Sequence, residues 1–134
     1  MSFRLRASMA AGLLALAAWG HEKAWAHHNM SALFDFNNRV SLSGTLTKYD
    51  WRNPHIYLTV DVKGDKDAIE TWQVEGPPPS FFRIRDVTKT DFEDASGKMV
   101  MFEASRARDG SRTGLLRVMT LPNGKLVSAC PQNC

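Results

Sequence analysis

Along most of this chain apolar and polar residues alternate with the two-residue period of a half-buried strand. Residues 39–49 set Val40, Leu42 and Leu46 on one face, with Ser41, Ser43, Thr45 and Thr47 on the other. Gly44 interrupts that stretch and predicts a bulge or sharp bend in the first strand. Residues 55–62 repeat the pattern: Ile56, Leu58, Val60 and Val62 point inward, His55, Tyr57, Thr59 and Asp61 outward. Gly64-Asp65-Lys66-Asp67 turns the chain into a third strand over 68–75, with Trp72 and Val74 in the core. Gly76-Pro77-Pro78-Pro79 must end it, because proline cannot donate to a ladder. Ser80 is then expected to cap a short helix through residue 86, burying Phe81, Phe82 or Ile84. After a polar link holding Asp91, Glu93 and Asp94, residues 98–105 and 115–121 read as the fourth and fifth strands. Arg108-Asp109-Gly110-Ser111 is the loop between them. Asn123-Gly124 is a hairpin signal that predicts a short sixth strand over 125–128.

Three meandering strands, a helix, then two or three more strands is the order of an OB-fold, a Greek-key barrel. The predicted fold class is therefore all-β: a small OB-fold-like Greek-key barrel of five or six strands, with one short helix between strands 3 and 4. An open antiparallel sandwich of the same strands is the alternative.

The first 26 residues follow a different logic. Arg4 and Arg6 precede an apolar run over 7–19, then a polar stretch leads to Ala24-Trp25-Ala26, with small residues at −3 and −1. This is the pattern of a secretion signal cleaved after Ala26. The apolar run, about a dozen residues, is too short to span a bilayer as a helix. No cysteine follows it, against a lipoprotein, and Arg4 and Arg6 are not adjacent, against twin-arginine export. The expected organisation is a signal peptide at 1–26, an irregular lead-in at 27–38 that packs Leu33, Phe34 and Phe36, a barrel at 39–128 and a cysteine-containing tail at 129–134. The expected location is periplasmic or secreted, with no stable membrane anchor after cleavage.

Cleavage also revises the charge. Of 17 Lys and Arg, Arg4, Arg6 and Lys23 leave, giving 14; of 14 Asp and Glu, Glu22 leaves, giving 13. The formal +3 of the whole chain becomes +1, so bulk charge does not point to nucleic acid.

Three histidines remain: His27 and His28 at the new terminus, and His55 just after Asn53-Pro54. A terminal amine with adjacent imidazoles suits a transition metal, copper before others. In a histidine brace, the His27 amine and ring chelate Cu(II) and the His55 ring adds a third nitrogen. A second mode uses the amine, a deprotonated amide and the His28 ring. The plain alternatives are a polar flexible end for His27-His28 and a turn hydrogen bond for His55. Cys130 and Cys134 favour a small disulfide loop in an oxidising compartment, with a Cu(I) thiolate pair as the sharper reading. Met99, Met101 and Met119 read as core filler, and Met30, beside the histidines, is the methionine closest to the candidate site in sequence. Trp51, Tyr57 and Trp72 form either core or an aromatic binding face. Arg106, Arg108, Arg112 and Arg117 read as a solvated basic face. No catalytic constellation is recognisable, so the chain is read as a non-enzyme.

His27-His28, Asp50-Trp51-Arg52-Asn53-Pro54-His55, Ala107-Arg108-Asp109-Gly110-Ser111 and Leu121-Pro122-Asn123-Gly124 resemble one family across nearly the whole mature domain. It comprises small, exported, functionally uncharacterised bacterial proteins with a mature His-His start and a Trp-x-Asn-Pro-His motif. Asn29-Met30 stands where that family has a small residue and Phe, and the cysteine tail looks peculiar to this chain. The resemblance implies fold and export and brings no activity. The functional expectation is copper handling at the mature N-terminus. The alternative is a non-metal envelope module that binds a protein partner through the barrel face.

The intact mass of the exported protein should correspond to a chain beginning at His27. Any other first residue removes the brace.

Overall fold

The structure is a computed structural model that describes residues 30–130. A helical turn, α1 (Met30–Leu33), leads into β1 (Phe34–Asp50), followed by β2 (Ile56–Lys63), a 3-10 turn (Asp65–Asp67) and β3 (Ile69–Gly76). Two helices follow, α2 (Pro79–Arg83) and α3 (Lys89–Ala95), and then β4 (Met99–Ala107), β5 (Thr113–Thr120) and β6 (Leu126–Ser128). The strand order is β3-β2-β1-β4-β5-β6, and a further β3–β5 pairing closes the sheet into a ring. All neighbours are antiparallel except β3 and β5, which run parallel over Gln73–Glu75 and Thr113–Leu115. This is the barrel expected from the alternation.

β1 pairs with β4 through its first part and with β2 through its last, and Gly44 and Thr45 belong to both ladders. A Cβ on Gly44 would lie 2.4 Å from the Asp61 carbonyl oxygen, so no other residue fits this crossing. The expected bulge falls just beyond it, between Leu46 and Lys48. Gly44 therefore serves close backbone approach.

Inside the ring the inward residues of the strands meet as foreseen: Leu46, Ile56, Leu58, Val60, Val62, Trp72 and Val74 are buried. Phe82 from α2 and Phe92 from α3 close one end of the core. Three expectations are corrected. The lead-in is β-strand from Phe34 onward, with Phe34 buried and paired to Ala107, because its apolar ring finds the barrel interior. Ser80 is not a cap: Pro78 precedes the helix and Pro79 takes its first position, where the missing N–H costs nothing. The polar link is helical. Thr88 caps α3, and Asp91, three residues on, accepts the Thr88 amide at 2.8 Å, while Phe92 and Ala95 turn inward.

Asp91 also receives Lys125 Nζ at 2.9 Å on each carboxylate oxygen, and the same ammonium donates to the Asp86 carbonyl at 2.6 Å. Lys125 thereby ties the helical segment to the turn before β6. Burial by itself would raise the Asp91 carboxyl, but the bonds from Lys125 and from Thr88 outweigh it and hold the group below its ordinary range. A carboxyl depressed on folding contributes stability above its unfolded value, and that contribution is lost as pH falls through the folded one. Lys125→Met should cost about 1–2 kcal/mol near neutral pH. In urea denaturation the gap from wild type should narrow as the solution is acidified through the carboxylate range; a gap that stays constant would refute the tie.

Candidate functional site

The turn Trp51-Arg52-Asn53-Pro54 carries the chain from β1 to β2 through a cis Asn53-Pro54 bond. Trp51 anchors it by packing its ring against Phe82 at 5.8 Å and Phe92 at 5.5 Å. The Ile56 amide bonds the Pro77 carbonyl at 3.3 Å, which sets His55 beside the end of β3. Because Ile56 points into the core, His55 and Tyr57 point out, as alternation requires.

Opposite Tyr57 on β3 stands Glu75, and opposite it on β1 stands Asp50. His55 Nδ1 contacts Glu75 Oε1 directly; the two side chains are 29% and 15% exposed. Tyr57 stands next to the same Glu75 carboxylate across the ladder. Burial, then the neighbouring Glu75 carboxylate, hold the Tyr57 phenol above its usual range; Asp50 adds to this and Arg52 opposes it. Arg52 Nε pairs with Asp50 at 3.0 Å. Glu75 thus engages Nδ1 of His55, while Nε2 of His55 has no hydrogen bond among the described residues. Glu75 was read from sequence only as the end of a strand. Its single available signal is a carboxylate at an outward strand position immediately before Gly-Pro-Pro-Pro.

His27, His28 and Cys134 lie outside the described residues. Among the described residues no three His, Cys, Asp or Glu side chains converge in a way that could hold a metal ion, and no helix is long and apolar enough to cross a membrane. Cys130 is disulfide-bonded. It follows Ala129, whose amide bonds the Arg117 carbonyl at 2.8 Å, and so leaves along the edge of β5 that β3 also uses.

The remaining sequence candidates separate. Trp72 is buried inside the ring while Tyr57 faces out, so the three aromatics form no common face. Met119 is core filler as expected, but Met99 and Met101 are 60% and 54% exposed. Val100 and Phe102 take the inward positions of that strand, and alternation sends the methionines outward. Each of the four arginines has an acidic or aromatic neighbour. Arg112 pairs with Glu70 at 3.0 Å, Arg117 with Glu103 at 3.3 Å and Arg108 with Asp35 at 3.9 Å, while Arg106 stacks over Trp72 at 5.4 Å.

Residues 15–117 match the model of a family described as a family of unknown function, DUF6152. No curated protein and no solved structure matches the chain.

Removing the anchor of the turn should cost stability. Trp51→Ala is expected to lose about 2–4 kcal/mol in urea denaturation, because it opens a space between Phe82 and Phe92. A loss under about 0.5 kcal/mol, the range of surface substitutions, would show that the turn is held by other means.

Proposed function

We propose that this chain, which belongs to the family of unknown function DUF6152, is an exported protein that binds a transition-metal ion, copper favoured. The ligands are Nε2 of His55 with the amine and rings of His27 and His28, exposed by cleavage after Ala26. The role is metal handling in the periplasm or outside the cell. The observation that carries this reading is the engagement of His55 Nδ1 by Glu75. A metal-binding imidazole characteristically gives its other nitrogen to a carboxylate or carbonyl, and here Nε2 is the nitrogen left over. Imidazole and amine donors suit Cu(II) in tetragonal geometry.

One observation favours the second reading, a binding module that uses the barrel face. Ser41, Leu42, Ser43, Met101, Phe102 and Thr120 line a shallow cavity of about 260 Å³ on the β1–β4–β5 side. Exposed Met99 and Leu126 extend the apolar character of that side.

Isothermal titration of the chain beginning at His27 separates the two. Submicromolar Cu(II) binding should vanish in His27→Ala, weaken in His55→Ala and leave Met101→Ser unaffected. Equal affinity with one extra residue ahead of His27 would overturn the brace.

A further inference from the structure

We propose that Glu75 is the positioning residue of this site: it holds His55 with its proton on Nδ1 and its lone pair on Nε2, ready for a ligand. The use of that lone pair for a metal rests on the function proposed above; the geometry does not.

Neutral imidazole in water prefers the opposite tautomer, with the proton on Nε2, which would leave the outward nitrogen unable to bind a metal. Which nitrogen carries the proton is set by the partner of the other one. Glu75 supplies that partner at Nδ1, from a side chain only 15% exposed. A carboxylate accepts and cannot donate, so contact with it places the proton on Nδ1.

The carboxylate is itself held. Glu75 lies directly opposite Tyr57 in the β2–β3 ladder. Its backbone pairs on the other side with Leu115 in the parallel contact that closes the barrel. His55, just ahead of β2, and Tyr57 within it thus flank one carboxylate on β3, and closure of the ring fixes the strand that carries it. The β3–β5 pairing places Glu75, and Glu75 orients His55.

The test uses the metal-free chain beginning at His27, with nitrogen-15 in its histidines, at about pH 8.5, where ordinary imidazoles are neutral. Long-range proton–nitrogen correlation reports the tautomer of each ring, and His55→Gln identifies the His55 signals by their loss. Wild type should show His55 with the proton on Nδ1. Glu75→Leu should shift it toward the Nε2–H form, and Glu75→Gln, which keeps an acceptor oxygen, should retain the wild-type form. In parallel, Cu(II) affinity should fall about 10–100-fold in Glu75→Leu, as for lost outer carboxylates elsewhere, and less in Glu75→Gln. An Nε2–H tautomer in wild type, or a Glu75→Leu protein with wild-type tautomer and copper affinity, overturns the proposal. If Glu75→Leu does not fold, the wild-type tautomer and its retention in Glu75→Gln decide it. If wild type binds no copper, the metal reading falls, and the tautomer measurement still judges Glu75.

Discussion

β1 is paired along both of its edges, and the rest of the barrel depends on the place where the two ladders overlap. Gly44 faces Val62 on one side and Val100 on the other, with the Asp61 carbonyl pressed against the position a side chain would take. A strand can serve two neighbours that diverge from it only if it coils between them, and coiling brings backbone against backbone at the turn of the coil. Glycine is the residue that permits this approach. From that crossing β2 and β4 leave in different directions, and β3 and β5 meet on the far side through three parallel pairs.

This short contact has consequences beyond closing the core. It brings residues that are far apart along the chain into one circumferential row: Arg39, Ser105, Leu115, Glu75, Tyr57 and Asp50. His55 stands next to that row, at the mouth of a turn that Trp51 clamps to Phe82 and Phe92. The site and the core therefore share their supports. The two helices that plug the barrel also hold the turn that aims His55. The strand that closes the ring also bears the carboxylate that meets the imidazole.

Much of this was legible along the chain. The inward sets of β2 and β3 followed from alternation, because each strand buries one face only and has a uniform period. Gly-Pro-Pro-Pro and Asn-Gly ended or turned strands for local reasons, lost donors and positive φ, which need no partner to act. The departures came where a distant group decides. Helix α3 was missed because its outward face is charged and its apolar contribution is only Phe92 and Ala95, while Lys125, which neutralises Asp91, is 34 residues away. Met99 and Met101 were read as interior because methionine is apolar, yet the strand's phase, set by Val100 and Phe102, turns both outward. The four arginines read as a solvated face; Arg108 and Arg112 are half exposed, and each of the four is also matched to an acidic or aromatic neighbour that no local pattern could name.

The sequence by itself determined the class of fold, the inward and outward sets of β2 and β3, and His55 as the barrel histidine worth attention. These are properties of the period, of turn chemistry and of residue type, and all act within a few positions. Only the tertiary structure decided that His55 meets Glu75, that Tyr57 stands opposite Glu75, and that Arg39 of β1 lies three strand spacings from Glu75 around the ring. Those relations depend on register between segments with no sequence proximity, and register is fixed when a whole core packs at once.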